Sequence, residues 1–434
     1  MKSGWAVACV CGFLSLLTVF AAAQETFSFE RAIELTLSHS TEIALNYADE
    51  RRAYESYLES RDAYIPQVSV GSNVGYAYGF PLSLEGSAPT LFNVSAQSTV
   101  YNPSLREFTR AARTEWGASK TEGRDRRAQV ILDASLAYIE LSRWEERLPL
   151  LHDELNVVKD VEYAVGERIK AGIDSPVEQT KAELADAQVR VHIAEAEGAV
   201  DILRTRLSQL TGLPASSIRT VRDTIPTLAE NQPPTDAGAR AVESSPAVES
   251  AQQSALAKEF QAKGEHRALY PEADFAAQYG LINTSLTDFE KFFVPGSFQP
   301  HNVTFGLVLR FPFLNASQRA RAQAADAAAL QARKQAEQVK NKTALDALQL
   351  QHNVQQLAAA RDVAQLRCKL AQSQLDAAHA RMEAETATQR ELQNAAIDAT
   401  ERTLDRINAD FEAQRAQLEL LRTTGGLEQW ALAK

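Results

Sequence analysis

From Val130 onward, apolar residues recur every three or four positions: Val130, Ala134, Ala137, Leu141, Trp144, Leu148, Leu151, Leu155 and Val158. Glu162 interrupts the seam before Val165 and Ile169. A second run continues through Val189, Ile193, Ala196, Val200, Leu203, Leu207 and Leu210. The C-terminal half repeats the pattern, first at Ala347, Leu350, Val354, Leu357, Ala364, Cys368, Ala371, Leu375 and Ala378. It resumes at Ile397, Leu404, Ile407, Phe411, Leu418 and Leu421. A spacing near 3.5 predicts long helices packed as coiled coils, and the many Ala positions let their axes approach closely. One helix over 104–170 would be roughly 100 Å long at ~1.5 Å per residue. Pro149 is expected to remove one of its hydrogen bonds and kink it. Helices of this length make a rod or the wall of a tube.

Four short segments switch to period two. In the stretch from Gln67, Val68, Val70, Val74, Tyr76 and Tyr78 fall on one face, while Ser69, Gly71, Asn73 and Gly75 join Gln67 on the other. Val303, Phe305, Leu307, Leu309 and Phe311 likewise oppose Thr304, Gly306 and Arg310. Phe92, Val94 and Val100 alternate more weakly, as do Phe275, Tyr279 and Leu281. Strands of about ten residues with one apolar and one small or polar face suit a membrane β-barrel. A soluble sheet packed on a core is the alternative, but the chain has little else to cover it. Four strands are too few for a barrel, which takes at least about eight, so several chains would have to share one.

The two halves read as a tandem duplication. Ser40, Ala63 and Pro66 align with Ser245, Ala268 and Pro271 at an offset of 205. Asn93, Val94 and Pro103 align with Asn302, Val303 and Pro312 at 209. Arg168, Ser175, Glu178 and Ala182 align with Arg381, Thr388, Glu391 and Ala395 at 213. Each half contains a helix, a strand pair, a long helix, a tip and a returning helix. The first tip, "ERIKAGIDSPVEQTKAEL", carries its own stop and restart. Gly172 suits the left-handed residue that ends a helix, Asp174 and Ser175 suit the next N-cap, and Pro176 suits its first turn.

The N-terminus adds a leader. Lys2 precedes an apolar run to Phe20, and Ala21–Ala23 offer a cleavage site, the pattern of a secretory signal peptide. A retained membrane anchor is the alternative. Removing Lys2 takes the formal charge from −11 to −12, which argues against nucleic-acid binding. Cys9 and Cys11 lie in the leader, so the mature chain keeps only Cys368 and no internal disulfide. The seven His residues are scattered, and no HExxH, P-loop or GxSxG motif occurs, so neither an enzyme nor a cofactor is expected. The expected order is a signal peptide (1–23), a first leading helix (24–66), a first β-hairpin (67–103) and a first long helical hairpin (104–211). An equatorial linker (212–246), packed down by Ile218, Val221, Ile225 and Leu228, connects to the second repeat. That repeat holds a leading helix (247–270), a β-hairpin (271–312), a long helical hairpin (313–424) and a tail (425–434).

Together these features resemble the TolC-like outer-membrane efflux proteins over nearly the full mature length. The motifs that carry the resemblance are "YIP" and "LYP" entering a strand, and "VYNP" and "RFPF" leaving one. "ILDASLAYIEL", "LSQLTGLP" and "LELLRTTGGL" add to them, with the tip itself. The resemblance implies a mixed α/β membrane protein: a homotrimer in which four strands per chain complete a twelve-stranded barrel in outer-membrane lipid. The helices would continue as a periplasmic tunnel, opened by a periplasmic adaptor and an inner-membrane transporter. It implies export through an outer-membrane exit duct, for tripartite efflux or type I secretion. By the same resemblance Arg168, Gly172 and Ser175, with Arg381, Glu385 and Thr388, would contact adaptor tips. Glu391, Asn394 and Glu178 would lie at the pore gate. Glu385 stands where the family usually has Gly, and Met382 and Ala387 where some relatives carry a gate-locking Tyr and Arg. For Glu391 the alternative is a solvated helix face, and for the tip a plain hairpin turn. For the whole chain the alternative is a periplasmic or surface coiled-coil protein without a pore.

Overall fold

The computed structural model describes residues 27–432 apart from 74–89, 229–235, 284–290, 292, 298 and 385. The leader, together with Val74, Tyr76 and Tyr78, lies outside the described residues.

Helix α1 (Phe29–His39) leads through Ser40 into α2 (Thr41–Asp62). Strands β1 (Gln67–Asn73) and β2 (Thr90–Tyr101) come next. Helix α3 (Pro103–Lys170) then runs for 68 residues, with Pro149 inside it. It starts where Asn102 Oδ1 accepts from the amides of Ser104 and Leu105, both at 3.0 Å, with Pro103 at the first helical position. After the first tip comes α4 (Pro176–Thr211), closed by left-handed Gly212. The second half contains α5 (Ala237–Ser244), α6 (Pro246–Arg267), β3 (Glu272–Ile282) and β4 (His301–Arg310). It continues with α7 (Ala316–Glu383), α8 (Gln389–Thr423) and the short α9 (Leu427–Ala431).

The duplication is visible in the helix lengths. Helices α2 and α6 each have 22 residues, α3 and α7 each have 68, and α4 and α8 have 36 and 35. Ser40 and Ser245 cap α2 and α6 alike. One alignment from sequence is corrected. Pro103 opens α3, but Phe313, Leu314 and Asn315 separate Pro312 from the start of α7. The true counterpart of Asn102 is Asn315, which caps α7 by accepting from Gln318 N at 3.0 Å. The second repeat therefore carries extra residues between its last strand and its long helix.

The four strands form one antiparallel sheet in the order β1-β2-β3-β4. Its register lines up Val70, Val94, Tyr279 and Val303 across all four strands, with Ala96, Ala277 and Phe305 beside them. The opposite face lines up Ser69, Ser95, Gln278 and Thr304, and the Ser69 and Ser95 hydroxyls meet at 2.6 Å. The apolar face is bare. On β4, Val303, Phe305 and Leu307 of this face are 66%, 75% and 64% exposed.

The core lies among the helices. Tyr138, Leu141, Leu207 and Leu418 are fully buried in the largest cluster, with Ile218 from the linker and Phe29 from α1. Ile225 and Leu228 pack on its edge, so the linker is held down as its apolar residues imply. Toward the tips, Leu151, Val158, Val189, Ile193 and Ala196 continue the seams between α3 and α4. Helix α3 packs on both α4 and α8, and α8 packs on α7, which leaves α4 and α7 as outer flanks of the lower rod. Cys368 is only half-buried, its sulfur 3.6 Å from Thr403 Oγ1. No helix among the described residues is long and apolar enough to cross a membrane.

Candidate functional site

The two tips share one backbone hydrogen bond. At the first, Gly172 has φ +74°, its amide donates to Ile169 O, and Ile173 N donates to Arg168 O, both at 2.9 Å. This pair of bonds caps the free carbonyls at the end of α3. At the second, Thr386 N donates to Arg381 O at 2.8 Å, the same bond displaced by 213 residues. The second repeat makes this bond with Glu385 in the place of Gly172. Glu385 lies outside the described residues.

The restarts differ. Ser175 occupies the N-cap of α4 but its hydroxyl makes no capping bond, whereas Thr388 Oγ1 accepts from Glu391 N at 3.3 Å. Asp174, expected as a cap, instead receives Arg168 with both carboxylate oxygens, at 2.7 and 3.2 Å. That bond is the main reason its carboxyl is held below the usual range. It fastens the end of α3 to the turn. The counterpart of Asp174 in the second tip is Ala387, so Arg381 lacks this partner and reaches back to Ala377 O at 3.4 Å.

The matched acids Glu178 and Glu391 have also diverged. Glu178 receives Lys181 Nζ at 2.8 Å and Arg390 at 3.0 Å. Lys181 first, then Arg390, hold its carboxyl below the ordinary value. The Arg390 contact joins the start of α8 to the start of α4, across 212 residues of sequence. Glu391, the counterpart of Glu178, has Asn394 where Glu178 has Lys181. Both Glu391 and Asn394 are exposed, and neither side chain makes a hydrogen bond or ion pair among the described residues. The structure thus brings Glu178 to Arg390 and Arg168 to Asp174, and gives the Glu391 carboxylate no cationic partner among the described residues. Neither ion pair could be read from spacing along one helix, because each partner comes from a different element.

Solved structures share this architecture over almost the whole chain. A membrane protein from Pseudomonas aeruginosa matches with a TM-score of 0.76 at 17% identity, covering 94% of this chain and 91% of its own. The outer membrane protein VceC of Vibrio cholerae matches at 0.72 and 17%, over 92% and 96% of the two chains. The MtrE outer membrane channel of Neisseria gonorrhoeae, solved in an open state, matches at 0.74 and 14%, over 92% and 89%. The fold is that of the outer-membrane channels. Within this channel fold the tips described above are the ends of the two long helical hairpins. No family model and no curated protein matches the chain. Among the described residues no group of His, Cys, Asp or Glu is placed to hold a metal ion.

Proposed function

We propose that this chain is a homotrimeric outer-membrane channel-tunnel. It acts as the non-enzymatic exit duct for substrates delivered by an inner-membrane transporter through a periplasmic adaptor. The observation that carries the reading is the sheet. Its apolar face is bare, its first and last strands are open edges, and each strand pair feeds a helix of 68 residues, roughly 100 Å. Open edges and an exposed apolar face are liabilities in water, and closing three sheets into one barrel in lipid removes both. The lower rod supports the same assembly. Helix α4 exposes Val177, Leu184 and Val191 at seven-residue spacing, and α7 exposes Val363, Leu366 and Leu370. Stripes of this period suit a coiled-coil seam between neighbouring copies.

In this reading the tips form the periplasmic mouth. Three copies of Glu391 surround the axis with Asn394 beside them, favouring cations over anions. Glu178, already neutralised, acts with Arg390 as a tie between the two hairpins of one copy. Arg168, Gly172 and Ser175, with Arg381, Glu385 and Thr388, present the turns to the adaptor. The test is extraction and reconstitution. Heat-modifiable trimers from outer membranes that conduct ions in planar bilayers support the duct. A freely soluble, elongated, non-conducting protein would refute it in favour of a coiled-coil rod.

A further inference from the structure

The duplication supplies an internal control for the turn that leads from strand to long helix. In the first repeat, β2 ends at Tyr101 and Asn102 alone separates it from α3. In the second, β4 ends at Arg310 and α7 starts at Ala316, so five residues intervene, Phe311 to Asn315. The added segment is apolar and bare: Phe311, Phe313 and Leu314 are 53%, 83% and 95% exposed. It has local order, since the Phe311 and Phe313 rings stack at 5.9 Å and Phe313 N donates to Phe311 O at 2.9 Å.

The two turns differ in their surroundings. Strand β2 is interior to the sheet, and its turn is tied within the chain by Asn102 Nδ2 to Glu272 at 3.1 Å. Strand β4 is an open edge, so its turn faces whatever pairs with that edge. The strands alternate in direction, and β1, the other open edge, begins at the same end of the sheet where β4 finishes. Antiparallel closure onto a second copy therefore sets the residues leaving β4 beside those entering β1. Barrel tilt staggers neighbouring strand ends by roughly 4 Å, about one residue. The residues entering β1 are Tyr64, Ile65 and Pro66. Tyr64 is bonded within its own chain, its hydroxyl to Asn102 O at 3.4 Å, while Ile65 is 55% exposed.

We propose that the Phe311–Leu314 segment is a clasp that packs on the Ile65 corner of the next copy and seals the seam at the helical end of the barrel. This rests on the shared-barrel reading. It accounts for the insertion being in the second repeat alone, because only there does the strand-to-helix turn face another chain.

The test uses the full chain purified in detergent with Cys368→Ser. Ile65→Cys combined with Leu314→Cys is treated with a short bifunctional thiol reagent. Covalent dimers and trimers are expected, and neither single-cysteine variant should give a ladder. Edge controls combine Ser69→Cys in turn with Thr304→Cys, Gly306→Cys and Val308→Cys; a side chain at Gly306 meets nothing within 4 Å. If an edge pair links and the Ile65/Leu314 pair does not, the clasp is wrong and the shared barrel stands. If no pair links, both readings fall. Phe313→Trp reconstituted with bromine-labelled phospholipid should keep its emission, and strong quenching would place the segment in lipid and overturn the clasp. Phe313→Ser with Leu314→Ser should lower the temperature at which the detergent-resistant oligomer dissociates while leaving helical circular dichroism intact. An unchanged dissociation temperature counts against the proposal.

Discussion

Replacing Tyr138 by Phe deletes one oxygen from a buried polar contact. The Tyr138 ring is fully buried, 5.4 Å from Phe29 at a near-perpendicular angle and 5.8 Å from Phe27. Its hydroxyl donates to Phe27 O at 2.7 Å and accepts from Val221 N at 2.9 Å. One atom therefore ties the residues before α1 and the linker to the middle of α3. The variant keeps the ring packing but leaves the Val221 amide and the Phe27 carbonyl short of a partner. Each orphaned buried group costs ~1–3 kcal/mol. Thr224 Oγ1, 3.3 Å from the Tyr138 oxygen, can compensate one of them, so we expect a net loss of ~1–3 kcal/mol. Concentrated in local opening of the linker, that is a ~5- to 150-fold rise in amide exchange around Val221–Thr224. Hydrogen exchange read by mass spectrometry measures it directly, with peptides from the tips as the internal reference. Exchange within about threefold of wild type would refute the reasoning. Burial also pushes the Tyr138 hydroxyl above its ordinary pKa, partly offset by its contact with Thr224. The folded state thus favours the protonated form. Its contribution is intact below the free tyrosine value near 10 and is lost as pH rises through the folded value, a loss that the Phe variant lacks.

At the mouth, Glu391→Ala should abolish cation preference in single-channel recordings, whereas Glu178→Ala should change it little, because Lys181 and Arg390 already neutralise that acid. Unchanged selectivity in Glu391→Ala would sink the ring of acids. Gly172→Ala should destabilise the first tip by ~1–2 kcal/mol, seen as faster local exchange or proteolysis. The cost is purely backbone, since φ is +74° and an added Cβ there meets nothing within 4 Å. Glu154 is buried on α3, and burial first, then Glu401, raise its pKa, with His192 opposing. A raised folded value means its contribution is favourable below the free glutamate range and is lost as pH rises through the folded value. Glu154→Gln should therefore raise thermal stability at about pH 7 and change it little at about pH 4, checked by circular dichroism melts.

Much of this architecture was legible because it is written in local periodicity. Val130 to Val158 announce a helix seam because helical side chains three and four apart share a face, whatever the helix packs on. Val68, Val70 and Val303 to Leu309 announce sheet faces because alternate strand residues point the same way. Gly172 acts on backbone groups within a few residues, so its role as a helix stop travels with the sequence. The candidate site was less legible. The repeat comparison located both tips, yet Asp174 reads as a helix cap and proves to be the partner of Arg168. Both roles satisfy a carboxylate, and the choice depends on where the end of α3 lies.

The pairing of distant elements belongs to three dimensions. Arg390 meets Glu178 only because two hairpins lie side by side, and Tyr138 reaches Phe27 and Val221 only because the linker wraps α3. The placement of the added residues after β4 likewise emerged from helix starts, since Pro103 opens its helix at once and Pro312 stands four residues short of one. Periodicity reports which face of an element is apolar. It carries no information about which element will cover that face, because burial is satisfied equally by any partner of suitable shape.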